Sequence, residues 1–183
     1  RIMPREDVEV SATVMKQFEK DGIDVLVDHK LLKFEKIEGQ NWMEAEHAGK
    51  TVRVAFDCVL LSIGRKPNVE GFGLENLEMP LTPQGTVKVN DAMQTAYPNI
   101  YACGDVAGPY QFTHTAAHQA WFASVNALFG KFKKFKVDYR VIPWATFCDP
   151  EVARVGLSEI EAQVKAVPYD VTKYGIDDLD RAI

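Results

Sequence analysis

Cysteine is scarce in this sequence. Among 183 residues there are three, Cys58, Cys103 and Cys148, too far apart for a Cys-x-x-Cys or a longer redox pair. That excludes a zinc site or a disulfide framework and fits a reducing, cytoplasmic setting. Each of the three is expected to be a small buried hydrophobe. Long apolar runs are also missing: nothing approaches the roughly 18 residues a membrane-spanning helix needs. The opening Arg1-Ile2-Met3-Pro4-Arg5-Glu6 is no signal peptide, so the chain reads as soluble with no membrane segment. A basic excess is absent as well. The net charge is −5, whereas nucleic-acid binding calls for clustered positive charge, so no nucleic-acid partner is expected. The one basic run, Lys131, Lys133, Lys134 and Lys136, is interleaved with Phe132 and Phe135 and reads as solvated surface around buried rings. Internal repeats and low-complexity segments are absent too. An initiator methionine is missing, and Leu179-Asp180-Arg181-Ala182-Ile183 stops inside what reads as a continuing element. The chain is therefore expected to be a piece of a larger protein, long enough for one compact domain or parts of two.

Periodicity supplies the elements. Val10, Val14 and Phe18 recur at four-residue spacing with Met15 extending the face, which predicts an amphipathic helix over residues 7–20, stopped by Asp21-Gly22. A short strand is expected at 24–27. β-prone runs at 30–38 and 51–56, around a polar link containing Gly39-Gln40-Asn41 and Ala48-Gly49-Lys50, predict an antiparallel excursion. The apolar run Val59-Leu60-Leu61-Ser62-Ile63 lacks polar alternation and predicts a buried central parallel strand ending at Gly64. Arg65-Lys66-Pro67-Asn68 and Gly71-Phe72-Gly73 punctuate a crossing between units. Strands are then expected at 86–89 and 100–103, and a helix rich in small residues at 113–129, stopped by Gly130. Further strands follow at 144–147 and 152–155, and Ser158 with Glu161 forms a candidate capping box.

Chemistry concentrates where the strand at 100–103 runs into Gly104-Asp105. Glycine lets a ligand approach the backbone, and the Asp105 carboxylate accepts hydrogen bonds from hydroxyls, which suits a polyol or ribose. A plain turn or helix cap would use the same pair of residues.

The longer string Thr95-x-Tyr97-Pro98-Asn99-Ile100-Tyr101-Ala102-Cys103-Gly104-Asp105 closely resembles the second flavin-binding motif of the pyridine nucleotide-disulfide oxidoreductase family. This family includes lipoamide dehydrogenases, glutathione reductases and mercuric reductases. Arg1-Ile2-Met3-Pro4-Arg5-Glu6-Asp7, Leu61-Ser62-Ile63-Gly64-Arg65-Lys66-Pro67-Asn68 and Phe147-Cys148-Asp149-Pro150-Glu151-Val152-Ala153-Arg154-Val155-Gly156-Leu157 resemble further landmarks of the family, in its order.

The resemblance implies an α/β and α+β fold: parts of two FAD/NAD(P)-binding Rossmann-like domains followed by the start of an α+β dimerisation domain. The corresponding division is residues 1–68, 69–138 and 139–183. It implies FAD and NAD or NADP as cofactors and a homodimeric parent that passes electrons between NAD(P)H, FAD and a dithiol/disulfide-type acceptor. Gly104 and Asp105 inherit the flavin ribitol. The backbone N–H groups of Thr113 and His114 are placed near the flavin pyrimidine edge, with packing or surface roles for the His114 and His118 side chains. Ser62, Ile63, Gly64 and Arg65 line the nicotinamide nucleotide site, and Leu31 aligns with a residue whose backbone meets the adenine. The family's Gly-x-Gly-x-x-Gly fingerprints, its redox cysteine pair and its His-Glu acid/base pair do not occur here. No catalytic or metal-binding residue is therefore assigned, and the chain alone is expected to be inactive. Residues 111–119 lack an acidic cluster and look closer to mercuric-reductase-like members. The alternatives are a flavin NAD(P)H reductase without a redox disulfide and a non-catalytic nucleotide-binding scaffold.

Overall fold

The four-residue recurrence of Val10, Val14 and Phe18 produces helix α1, Val8–Lys20. Val14 is almost wholly buried, as is Ser11 one turn before it, and the Ser11 hydroxyl donates to the Ile2 carbonyl at 2.7 Å. Glu9 in the first turn and Lys20 in the last both complement the helix dipole. The computed structural model describes residues 1–175, which fall into two units: Arg1–Asp57 with the stretch from Ala145 onward, and Cys58–Trp144.

In the first unit, α1 is followed by an antiparallel sheet of three strands in sequential order, β1 (Lys30–Ile37), β2 (Gln40–His47) and β3 (Lys50–Phe56). The sequence predicts the outer two and takes the segment between them for a polar link. That link is itself the central strand. Its turns explain why: Glu38-Gly39 and Ala48-Gly49 take positive φ at both positions (50° and 89°, 49° and 74°), the two-residue geometry whose twist matches antiparallel strands. The register closes directly on either side, with Ile37 opposite Gln40 and His47 opposite Lys50. Ala45 of β2 is buried. Residues 24–27 form no strand; Ile23 and Leu26 stand exposed, with no ladder to join among the described residues.

Strands β4 (Pro143–Thr146) and β5 (Val152–Val155) form a two-stranded sheet, and α3 (Glu159–Val164) follows with the predicted capping box complete in both directions. The Ser158 hydroxyl accepts from the Glu161 N–H at 3.2 Å, and Glu161 accepts from the Ser158 N–H at 3.2 Å. Arg154, on β5, ties this stretch to the residues that precede α1. It donates to the Arg5 carbonyl at 3.0 Å, lies 3.5 Å from the Glu6 carboxylate and 3.1 Å from that of Glu161. Asp7 in turn accepts from the Glu159 N–H at 2.9 Å. The continuing element expected at Leu179–Ile183 lies outside the described residues.

The second unit departs most from expectation. Val59, Leu60, Leu61 and Ile63 form no strand and stand 52, 88, 61 and 90 % exposed. A parallel strand draws every ladder bond from its neighbours, and none is available to it among the described residues. The strands expected at 86–89 and 100–103 shrink for the same reason to single bridges, Leu81 with Val87 and Gln94 with Tyr101. What holds this unit is helix α2, Thr113–Phe129, packed through Ala123 on Met93 and Ala107, with Cys103 at the margin of the cluster. A second cluster gathers Val69, Met79 and Val87. Two buried amides on α2 supply the polar links. Asn126 donates to the Ala92 carbonyl at 3.1 Å and the Phe135 carbonyl at 2.7 Å, and accepts from the Phe135 N–H at 2.8 Å; Gln119 does the same work nearer the helix start.

The cysteines differ from expectation too. Cys58 is exposed, and Cys103 and Cys148 are half-buried. Cys58 directly precedes the unpaired run 59–63, which explains its exposure.

Candidate functional site

The Gly104-Asp105 stretch forms a short 3₁₀ turn, Gly104–Val106. Gly104 is needed there twice over. Its φ is 79°, and a Cβ at this position would stand 3.3 Å from the Ala116 Cβ, so the turn lies directly on the small-residue face of α2. The buried Gln119 side chain fixes this approach. Its Oε1 accepts from the Gly104 N–H at 2.6 Å, and its Nε2 donates to the Gly108 carbonyl at 2.7 Å and to the Tyr139 hydroxyl at 2.8 Å. Burial pushes the Tyr139 hydroxyl above its ordinary value, with the Gln119 hydrogen bond opposing in part.

Asp105 projects from the turn with its side chain half exposed. Its Oδ2 stands 3.5 Å from Nη1 of Arg65, which is also exposed. A pair this open contributes at most about 1 kcal/mol, so separating the two side chains costs little. Two residues that the sequence assigns to different nucleotides are thus brought together. Ser62, Ile63 and Gly64 lie exposed just before Arg65, with φ of Gly64 at 120°. Leu31 belongs to the first unit. It is exposed on β1 opposite Ala45, beside a register shift between Leu31 and Lys33.

Thr113 and His114 open α2 after Phe112, whose side chain makes no capping bond. The first N–H groups of a helix have no partner within it; here they belong to exposed residues, at the positive end of the helix dipole. The His114 ring is held by packing: it stacks on Phe112 at 5.4 Å, and its Nε2 lies 2.7 Å from the Pro143 carbonyl. His118 packs edge-on against Phe122. Thr115, fully buried, has a hydroxyl without a hydrogen-bond partner among the described residues. Exposed donors at a helix start, an acidic acceptor on a close turn and an orphaned hydroxyl are a donor and acceptor set that fits a polyol-bearing ring system such as a flavin.

A cavity of about 620 Å³ opens within the second unit. Arg65 lines it with Thr86, Asn90, Gly108 and Tyr139; the other residues assigned from the sequence do not. Among the described residues no group of three or more His, Cys, Asp or Glu side chains is placed to hold a metal ion. No helix among them is long and apolar enough to cross a membrane. Gln119, Thr115 and Asn126 are absent from the sequence assignment, because isolated polar residues in a helix of small side chains carry no periodic signal.

Residues 1–120 match the profile of the pyridine nucleotide-disulphide oxidoreductases, and residues 142–183 match that family's dimerisation domain. The chain is 38% identical over 174 residues to a dihydrolipoyl dehydrogenase of Mycobacterium leprae, covering 95% of this chain and 37% of that protein. It is 34% identical over 185 residues to the dihydrolipoyl dehydrogenase of Bacillus subtilis, covering 100% of this chain and 38% of that one. The chain thus spans little more than a third of the curated relatives it matches. Among solved structures it is similar to the HOCl-induced flavoprotein disulfide reductase RclA from Escherichia coli, with a TM-score of 0.82 and 25% identity over 99% of this chain and 40% of that one.

Proposed function

Since the chain belongs to the pyridine nucleotide-disulphide oxidoreductase family, we propose that it supplies the second half of a flavin site in an FAD-dependent NAD(P)H oxidoreductase of the dihydrolipoyl dehydrogenase kind. The observation that carries this is the Gly104-Asp105 turn pressed on the start of α2. There a carboxylate acceptor and a set of free N–H donors share one short stretch of chain. Asp105 accepts from ribitol hydroxyls. The N–H groups of Thr113 and His114, at the positive helix end, hold the negative charge that the ring system gains on reduction. Ser62, Ile63, Gly64 and Arg65 border the nicotinamide nucleotide, and Leu31 aligns with a residue whose backbone meets an adenine. FAD, when bound, would pass electrons between the nicotinamide nucleotide and a dithiol/disulfide-type acceptor, in either direction; this chain's residues bind, orient and polarise.

The division that accompanies this role is residues 1–68 for the nucleotide domain, 69–138 for the FAD domain and 139–183 for the dimer interface. The parent works as a homodimer in the cytoplasm. The test is made on the full-length protein. It should purify yellow and be bleached anaerobically by NADH or NADPH, and Asp105→Ala should lower its flavin content. A protein that holds FAD but is reduced by neither nucleotide would refute the proposal.

A further inference from the structure

The chemistry of the buried Gln119 amide fixes which way round it sits. The Gly104 N–H can only donate, so it takes Oε1; the Gly108 carbonyl can only accept, so it takes one proton of Nε2. The second Nε2 proton goes to the Tyr139 hydroxyl at 2.8 Å, which must therefore accept, and whose own proton is left for the Met93 Sδ at 3.6 Å. Met93 is itself buried. Because burial holds the Tyr139 hydroxyl above its ordinary value, it stays neutral in this role near neutral pH. The same amide brackets a short stretch of chain. Gly104 and Gly108 are already joined by the Gly108 N–H, which donates to the Gly104 carbonyl at 3.1 Å beside the Ala107 N–H at 2.9 Å. Only residues 109–112 separate that closed turn from α2, and Gln119 sits on α2. Gln119 therefore sets where the Asp105 carboxylate lies relative to the N–H groups of Thr113 and His114.

On the flavin assignment given above, we propose that Tyr139 is a positioning residue: through Gln119 it holds the start of α2 at a fixed distance from the Gly104-Asp105 turn, and so sets how far the protein favours the reduced flavin over the oxidised one. The two ends of that spacing act on different states of the ligand. Asp105 meets ribitol hydroxyls whether the ring is oxidised or reduced, whereas the helix start meets a charge that arises only on reduction. Loss of the Tyr139 hydroxyl leaves one buried Nε2 proton of Gln119 unpaired. The amide then relaxes away from its two backbone partners, and the helix start loses its fixed place against the ring.

The test is a spectroelectrochemical titration of the full-length holoprotein at saturating FAD, followed at the flavin absorbance. Tyr139→Phe keeps the ring and deletes the hydroxyl. It should weaken the hold on reduced flavin relative to oxidised by about two- to ten-fold, the value of one net hydrogen bond. That appears as a flavin midpoint lowered by about 10–30 mV, since ten-fold is about 30 mV for a two-electron couple. Gln119→Leu should lower the midpoint as well, and adding Tyr139→Phe to it should lower it no further, because the hydroxyl acts through that amide. Tyr139→Phe alone decides the matter where Gln119→Leu does not fold. An unchanged midpoint, with both redox forms of FAD held equally less tightly, is what a purely structural hydroxyl gives and would overturn the proposal, as would a raised one. An undiminished effect of Tyr139→Phe in the Gln119→Leu background would overturn it too. Each of these outcomes, seen in a yellow protein, leaves the flavin assignment standing; a full-length protein that binds no FAD sinks both.

Discussion

Gln119 is the side chain on which the site's geometry depends. It is wholly buried, and its amide serves the Gly104 N–H, the Gly108 carbonyl and the Tyr139 hydroxyl at once. Gln119→Leu fills the space but leaves those groups unpaired, and a buried unsatisfied group costs about 1–3 kcal/mol. Urea denaturation of the full-length protein should show a loss of that order, together with weaker flavin retention. Asp105 behaves in the opposite way. Its partner is an exposed guanidinium, so Asp105→Ala should leave the unfolding midpoint unchanged within error while weakening flavin binding about 10- to 100-fold, the value of a hydrogen bond to a charged acceptor; equilibrium titration of the apoprotein with FAD measures it. The Gly104-Asp105 turn was legible in the sequence because a glycine and a carboxylate after an apolar run form a recognisable string. Gln119 was not, because its partners come from residues 104, 108 and 139, and no local pattern announces a contact made across the fold.

At the scale of elements, local chemistry decided what could be read. Helix α3 was legible from Ser158 and Glu161 alone, since a capping box is complete within four residues. Ser158→Ala should cost about 1 kcal/mol, seen as faster hydrogen exchange at the amides of Glu159–Val164. Its pH response follows from Glu161. Burial works against ionisation there, but the Ser158 N–H and then Arg154 outweigh it and hold the carboxyl below its ordinary value of 4.5. A lowered folded value means that the stabilisation is fully present above about pH 4.5 and is lost as the pH falls through the folded value. Protection factors at α3, referred to the intrinsic exchange rate at each pH, should fall in acid, and Glu161→Gln should remove that acid dependence. Strand β2 was hidden because Glu-Gly and Ala-Gly are weaker turn signals than Asn-Gly, although the backbone adopts the same geometry. The run 59–63 was misjudged differently: its composition suits a buried strand, but burial depends on neighbours that periodicity within one segment cannot supply.

For the molecule as a whole, the apolar surface of residues 59–63 governs behaviour. Unpaired strand-like segments and large exposed side chains favour association, so this chain expressed alone should sediment above its monomer mass; a clean monomer at micromolar concentration would count against that. It should also retain FAD far below stoichiometry, as absorbance after gel filtration would show, because no glycine fingerprint for the pyrophosphate occurs in it. Arg154 has another significance at this scale. Its bond to the Arg5 carbonyl joins residues 149 positions apart, so the first unit is assembled from two distant stretches of chain, whereas Cys58–Trp144 is continuous. Closing so long a loop carries an entropic cost that contacts within a continuous segment avoid. The order of folding follows: in pulsed hydrogen exchange the amides of α2 should become protected before those of α1 and α3, and Arg154→Met should delay the second phase while leaving the first unchanged.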